Sequence, residues 1–158
     1  MITCIDTETT GVDHATDRVI QIGACDLTKA GVINIRQTFV SLPDGMTIPP
    51  EASAVHHIID ADLVGAPSLE QAIEPFKGAD YLVAHNARFD AGFLAEPLGV
   101  PPERWICTFK CALRAWPDAP GHSNQCLRYW LGEVEPFGFK REELPSHAAA
   151  SDTIVTAA

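Results

Sequence analysis

The first strand-like run of the sequence, MITCIDTETTGV, ends on two carboxylates one residue apart, Asp6 and Glu8. Side chains at positions i and i+2 of a β-strand point to the same face, so these two would project side by side. Their like charges repel, and a hard divalent cation between them would remove the repulsion because it prefers oxygen ligands. The alternative is a solvated strand end entering a turn at Thr9, Thr10 and Gly11. Ligands further along the chain must decide between the two.

Two later segments supply such ligands. AHNARFDAGFL places Asp90 about one turn into a predicted helix after a short apolar strand, near the strand ends where ligands bind in α/β sheets. PSHAAASDTIVTAA contains His147 and Asp152. Five helical residues separate two side chains by about 140°, so both face one site only if His147 lies on the loop before the helix, a break that Pro145 and Ser146 favour. Taken singly, each acid is explained by the helix dipole or by capping, and a lone histidine by a structural role.

Together these residues fit one chemical scheme. Four carboxylates on three separate elements carry about four negative charges at neutral pH. Two divalent cations would neutralise that charge and leave coordination positions open to phosphate oxygens. This is the layout of two-metal phosphodiester hydrolysis.

Hydrophobic patterning predicts the elements that position these residues. Strands are predicted at 2–7, 18–27, 31–40 and 81–85, the second and third joined by a hairpin at TKAG. Helices are predicted at 68–77, from an Asn86 N-cap to about residue 96, at 108–116 and at 123–131. The segment SLPDGMTIPPEASA contains three prolines and predicts a loop. This order indicates an α/β domain with a mixed sheet.

Bulk properties bound the class of protein. A chain of 158 residues with 46% hydrophobic residues fits a single domain, 1–158. No apolar run approaches the roughly 20 residues that span a bilayer, and the N-terminus lacks a secretion signal, so we expect a soluble, cytoplasmic protein. The five cysteines form no CxxC pair and are expected to be free thiols. Because DTIVTAA lies inside a predicted helix, we expect the natural chain to continue beyond Ala158.

The formal net charge of -10 argues against a broad basic surface for nucleic acid and does not exclude local contact. Residues 104–141 contain six basic residues and three acidic ones, so any bound polyanion should contact this stretch. The basic residues are Arg104, Lys110, Arg114, Arg128, Lys140 and Arg141.

Three segments resemble the motifs of one enzyme family, in its order and spacing. DTET at 6–9, HNARFD at 85–90 and HAAASD at 147–152 resemble the three motifs of the DEDDh (DnaQ-like) 3'-to-5' exonucleases, over nearly the whole chain. AVHHIIDADL and GHSNQCLRYWLG resemble supporting segments, with Ile59 in place of a threonine and His122 in place of a tyrosine. Ala148 stands where the tyrosine-type sister group carries its tyrosine, so the histidine type is indicated.

The resemblance implies an RNase H-like fold, a five-stranded mixed sheet with the first strand central and flanked by helices. It implies two Mg²⁺ or Mn²⁺ ions bridged by Asp6, with Glu8 and Asp152 completing one ion and Asp90 holding the other mainly through water. His147 is the expected general base, since histidine exchanges protons near neutral pH. Contacts to the terminal nucleotide are expected from Thr9, Gly11, Val12, His56, Asn86 and Phe89.

The expected substrate is a DNA 3' end, single-stranded or in a frayed duplex, shortened to nucleoside 5'-monophosphates. Three alternatives stay open: an RNA-trimming enzyme similar to RNase T or oligoribonuclease, a proofreading subunit with a polymerase partner, and a non-catalytic nucleic-acid binding module. A homodimer is also open, and no membrane partner is expected.

Overall fold

Five strands form one mixed sheet in the structure, a computed structural model that describes all 158 residues. They are β1 (Ile2–Thr9), β2 (Val19–Thr28), β3 (Gly31–Phe39), β4 (Tyr81–Ala84) and β5 (Trp105–Cys107). The order in the sheet is β3-β2-β1-β4-β5. β2 pairs antiparallel with both β1 and β3, and β4 pairs parallel with both β1 and β5. The predicted α/β class and the central first strand are confirmed.

Burial of the strands follows their place in the sheet. β1 and β2 are buried along almost their whole length, whereas β3 is an edge strand with exposed residues at its centre. The predicted hairpin joins β2 and β3 through a turn at residues 29 and 30, and Gly31 follows it with φ +123°, which favours glycine. β5 was not predicted, because three residues are too few to show a period.

Six α-helices accompany the sheet, and none combines the length and the apolar character that crossing a bilayer requires. They are α1 (Pro50–His56), α2 (Leu69–Ala72), α3 (Arg88–Leu98), α4 (Thr108–Ala115), α5 (Asn124–Trp130) and α6 (Ala149–Ala157).

The helix boundaries correct three predictions. α1 begins inside the predicted loop because Pro50 occupies the first helical turn, where its missing N–H costs nothing. The helix predicted at 68–77 stops at Ala72 and is followed by a 3₁₀ turn containing Pro75. Proline cannot donate the bond that would continue the helix. Asn86 is not the N-cap of α3: Ala87 holds that place, and Asn86 has a positive φ of 67°.

Helices cover both faces of the sheet, and β1 runs between them. On one face Ile5 and Leu82 belong to the main hydrophobic cluster with Leu94 of α3. On the other face Cys4, which is buried among Cys25 and Val83, packs with Ala157 of α6. Because successive strand residues point to opposite faces, β1 contacts both layers. Its C-terminal end therefore lies between the start of α3 and the start of α6.

Close packing of α6 on the sheet depends on Gly23 of β2. A Cβ at this position would lie 2.2 Å from the carbonyl carbon of Ala149 and 2.3 Å from the backbone nitrogen of Ala150. Both are backbone atoms at the start of α6, so the helix itself would have to move.

We expect Gly23→Ala to lower the free energy of unfolding by about 1–3 kcal/mol. Because the displaced helix carries Asp152, an expected metal ligand, the variant should also bind Mg²⁺ more weakly. Thermal unfolding and titration calorimetry would measure the two effects. Gly78→Ala is the control: Gly78 has φ +93° and no atom within 4 Å of an added Cβ, so the variant should lose stability alone. Unchanged Mg²⁺ affinity in Gly23→Ala would show that the position of α6 on the sheet does not control the metal site.

Candidate active site

One cleft of about 450 Å³ brings all five predicted catalytic residues together. Asp6 and Glu8 come from β1, and Asp90 comes from α3. Asp152 comes from the first turn of α6, and His147 from the loop before that helix. The full lining is Asp6, Thr7, Glu8, His85, Asn86, Phe89, Asp90, Ser123, Asn124, Gln125, Ser146, His147 and Asp152. Four carboxylates that are far apart in the sequence therefore converge on one solvent-accessible space.

His147 lies outside the helix that carries Asp152, as predicted from their spacing. α6 begins at Ala149, and His147 has a positive φ of 56°. That conformation lets its backbone N–H donate to Oδ2 of Asp152 at 2.8 Å. Ligand atoms of Glu8, His147 and Asp152 all lie within 4.8 Å of one another.

Two glutamines of the sheet hold the start of α6. The N-cap residue of α6 is Ala148, whose methyl side chain cannot accept a hydrogen bond from the helix. Gln21 of β2 accepts a hydrogen bond from the Ala149 N–H at 3.2 Å, and Gln37 of β3 accepts one from the Ala150 N–H at 3.3 Å. These bonds satisfy two of the unpaired donors at a helix N-terminus. They also fix the height of Asp152 above the sheet.

Asp90 is the most deeply buried of the carboxylates, at 2% exposure. It lies in the first turn of α3, and Thr7 of β1 donates to its Oδ1 at 2.9 Å. Thr7 points to the α3 side of the sheet, whereas its neighbours Asp6 and Glu8 point to the α6 side. The hydrogen bond therefore ties the two sides of the cleft together through β1.

Burial raises the pKa values of all four carboxyl groups, and repulsion by neighbouring carboxylates adds to it for Asp6 and Glu8. Burial, followed by the charges of Asp90, Asp152 and Glu8, raises the pKa of Asp6 well above its usual range. Burial and the neighbouring charges raise the pKa of Glu8 to about 7. Burial also raises the pKa of Asp90 to about 7, against the opposing hydrogen bond from Thr7. The pKa of Asp152 rises through burial, although Gln125 and the His147 N–H stabilise its charged form.

Hard divalent cations fit this cluster. Its carboxylate oxygens are the ligands that Mg²⁺ and Mn²⁺ prefer, and the repulsion that raises the pKa values is what a cation would relieve. Glu8 and Asp152 already place oxygens within 4.8 Å of each other, close enough to share an ion. Asp6 and Asp90 line the same space.

The predicted substrate residues are divided between two places. Asn86 and Phe89 line the cleft, whereas Thr9, Gly11, Val12 and His56 are not part of its wall. Val12 is 79% exposed at a loop tip, and the Thr9 hydroxyl donates to the Gly11 carbonyl at 2.6 Å. His56 is 7% exposed, and its Nε2 has no hydrogen-bond partner, while its Nδ1 accepts from the Ile58 N–H.

Several residues that hold the carboxylates were not predicted. Thr7 lies inside the DTET motif and could have been found as the residue between the two acids. Gln21, Gln37 and Gln125 are far from their partners in sequence and gave no local signal. The prediction that Arg128 contacts a polyanion is wrong, because Arg128 is 3% exposed and its donors are used within the protein.

A central strand that carries two carboxylates, with a third and a fourth on helices from the two faces, is the RNase H-like arrangement of the DEDDh exonucleases. The sequence profile of the RNase_T exonuclease family matches residues 3–158, and the chain belongs to this family. The resemblance read from the three motifs is thereby confirmed.

Relatives of known name are similar over the whole chain or part of it. Exodeoxyribonuclease 10 of Escherichia coli K12 is 35% identical over an alignment of 160 positions, which covers all of this chain and 66% of that protein. The epsilon subunit of DNA polymerase III from Treponema pallidum is 41% identical over 102 residues, 62% of this chain and 46% of that one. The chain thus spans about two thirds of the first relative and under half of the second.

Solved structures show the same fold. Exonuclease X in complex with 5' overhanging duplex DNA superposes with a TM-score of 0.80 at 34% identity, covering 99% of this chain and 87% of that chain. Exonuclease I of E. coli in complex with a dA16 oligonucleotide gives a TM-score of 0.76 at 16% identity, covering 99% of this chain and 39% of that chain. The second match bears on the fold alone.

The raised pKa values predict how Mg²⁺ and pH act on stability. Unfolded Asp and Glu have pKa values near 4, so between about pH 4 and 7 the folded state holds protons that the unfolded state has released. The metal-free folded state therefore loses stability as the pH rises through this range. Mg²⁺ should therefore raise Tm more at pH 8 than at pH 5.5, where protons already neutralise Glu8 and Asp90.

The variant Glu8→Gln tests the same repulsion directly. It should raise the Tm of the metal-free protein at pH 8 by about 2 °C or more and reduce the Mg²⁺ shift. Differential scanning calorimetry in EDTA and in Mg²⁺ measures both effects. A lower Tm for Glu8→Gln in EDTA would show that the carboxylates do not repel as described.

Proposed function

We propose that the protein is a metal-dependent 3'-to-5' exodeoxyribonuclease that shortens DNA to nucleoside 5'-monophosphates. The observation that carries the proposal is the convergence of Asp6, Glu8, Asp90 and Asp152 with His147 in one cleft of a chain that belongs to an exonuclease family. The names of its relatives, exodeoxyribonuclease 10 and exonuclease X, support DNA as the substrate.

The carboxylates are the proposed metal ligands. The charges of Glu8, Asp90 and Asp152 all act on Asp6, which would suit a position shared between two ions. Two divalent cations in such a site activate water and stabilise the attacking and leaving oxygens of an in-line displacement. Thr7 and Gln125, which donate to Asp90 and Asp152, orient the carboxylates before any ion arrives.

His147 is the proposed general base. Its backbone N–H is bound to Asp152, so the backbone is fixed while the imidazole lines the cleft. From this position a ring nitrogen can accept the proton that the attacking water loses. Because Ser146 and His147 belong to a loop and not to α6, the ring keeps the freedom to approach and leave the reacting atoms.

The terminal nucleotide is proposed to bind beside the carboxylates. Asn86 and Phe89 lie in the cleft wall, and Phe89 would border the terminal base. Thr9 and Gly11 would contact the sugar, and Val12 and His56 would contact the base. Contacts to sugar, phosphate and a stacked base read little sequence, so hydrolysis should be nearly independent of sequence.

The test is hydrolysis of oligonucleotides of one sequence made as DNA and as RNA. Incubation of 3'-labelled DNA with Mg²⁺ should release labelled mononucleotide, and EDTA should stop the release. Release that persists in EDTA would overturn the two-metal assignment, faster release from RNA would favour the RNA-trimming alternative, and binding without cleavage in Mg²⁺ or Mn²⁺ would indicate a binding module.

Proofreading is the second candidate, favoured by the 41% identity to a polymerase III epsilon subunit. It predicts a stable complex with a polymerase subunit from the same organism. Size-exclusion chromatography of the two purified proteins would detect that complex, and separate elution would leave a free-standing nuclease.

A further inference from the structure

We propose that Gln125 is a positioning residue for Asp152 and that the buried cation Arg128 sets the orientation of the Gln125 amide. This relay, defined as Arg128, Gln125 and Asp152, rests on the proposed function, because it assigns these contacts to the holding of a metal ligand. Gln125 lines the cleft from α5, and Asp152 faces it from α6.

Arg128 is a buried cation without a carboxylate partner. Its side chain is 3% exposed, and no acidic group forms an ion pair with it. Its charge is satisfied by neutral oxygens: Nε and Nη2 donate to the Val134 carbonyl at 3.1 and 2.6 Å. Nη1 donates to the Leu144 carbonyl at 3.1 Å and to Oε1 of Gln125 at 3.3 Å.

This pairing removes the ambiguity of the Gln125 amide. A guanidinium has five donors and no acceptor, so only the Gln125 oxygen can face it. The amide nitrogen must then face the other way, where Nε2 donates to Oδ1 of Asp152 at 3.1 Å. An amide turned by 180° would place two donors against Arg128 and an oxygen against a carboxylate.

Asp152 is consequently held at both oxygens. Oδ1 accepts from Gln125 and Oδ2 from the His147 N–H at 2.8 Å. Each carboxylate oxygen offers about two lone-pair sites, so each retains one for an ion. The plane of the carboxylate is set by neutral donors that do not compete for its charge as a cationic side chain would.

Arg128 also reaches the segment that carries His147. The Leu144 carbonyl lies three residues before His147, and Val134 lies at the other end of the same connection. One guanidinium therefore fixes the segment of the proposed base and, through Gln125, the orientation of a proposed metal ligand. A purely structural Arg128 would need only the two carbonyls.

Metal affinity separates the relay from a structural role. Mn²⁺ binding to the whole protein, measured by electron paramagnetic resonance without nucleic acid, should weaken about 10-fold in Gln125→Met, because loss of a hydrogen bond to a ligand costs 10–100-fold. Gln71→Met is the matched control, since Gln71 does not line the cleft, and its Kd should equal that of the wild type. The Mg²⁺ concentration for half-maximal hydrolysis should rise in parallel.

A double-mutant cycle tests whether Arg128 acts through Gln125. Arg128→Met should weaken Mn²⁺ binding in the wild-type background and by a smaller factor in Gln125→Met, because the part of its effect that passes through Gln125 is already lost there. Full additivity, or an unchanged Kd in Gln125→Met, would overturn the relay. Gln125→Met retains Arg128 and the core, so it decides the matter even where Arg128→Met fails to fold. A wild type that binds Mn²⁺ without cleaving DNA would overturn the proposed function and leave the relay testable.

Discussion

Replacement of Asp6 by asparagine is expected to reduce kcat/KM for 3'-end hydrolysis by about 1000-fold or more. Loss of a residue that merely orients a metal ligand costs 10–100-fold, and Asp6 is proposed to bind both ions itself. The side chain keeps its shape but loses the charge that three neighbouring carboxylates surround. Single-turnover hydrolysis of a 3'-labelled oligonucleotide at saturating Mg²⁺ measures the effect.

The control for Asp6→Asn is Asp44→Asn, the same change at an exposed loop position. Its rate should match that of the wild type. The metal-free Asp6→Asn protein should also be at least as stable as the wild type at pH 8, because one of the mutually repelling negative charges has been removed. An Asp6→Asn enzyme within 10-fold of the wild-type rate would contradict a bridging role for this carboxylate.

Replacement of His147 by glutamine is expected to lower kcat by about 100- to 10,000-fold, the usual contribution of a general base. Mn²⁺ affinity should change little, because the bond to Asp152 comes from the backbone N–H and survives the substitution. Because a general base must be unprotonated to accept a proton, the wild-type rate should depend on pH more steeply than the rate of the variant. A pH–rate profile at saturating Mg²⁺ measures both.

The matched control is His57→Gln, at an exposed histidine outside the cleft wall. It should leave the rate and the pH profile unchanged. A His147→Gln enzyme that keeps the wild-type pH profile would show that another group removes the proton. A parallel loss of Mn²⁺ affinity would instead make the imidazole a metal ligand.

The two acids of β1 could be predicted from the sequence because their relation is local. Asp6 and Glu8 share a face by strand geometry alone, and the break before α6 follows from Pro145 and the spacing of His147 from Asp152. The convergence of Asp90 and Asp152 on the β1 pair is a property of the whole sheet. It came from the motif resemblance and the rule for strand ends, not from residue periodicity.

The supporting contacts could not be predicted, and the reason is physical. Gln21 and Gln37 bind backbone groups more than 110 residues away, and a polar residue on a strand has no local feature that distinguishes a cap from a solvated side chain. Arg128 looked like a surface base because buried arginines are rare, and only the fold shows the carbonyls that satisfy it.

Asn86 shows how a local rule can fail at a site. Asparagine before a helix is usually the N-cap, but here Asn86 lies in the left-handed region, at φ 67°, and its side chain lines the cleft. His147 also lies in the left-handed region, at φ 56°, and also lines the cleft. Asparagine and histidine tolerate this conformation better than most residues, and such backbone strain is concentrated at functional sites.

Carboxylates from β1, α3 and α6 are proposed to bind a pair of cations at a nucleic-acid terminus. The decisive experiment is anomalous diffraction from crystals soaked with Mn²⁺ and a nucleoside 5'-monophosphate. We expect two peaks about 3.5 to 4 Å apart, both within ligand distance of Asp6, with Glu8, Asp90 and Asp152 around them. A single peak in the presence of the nucleotide, or Asp90 or Asp152 outside ligand reach of both ions, would contradict it.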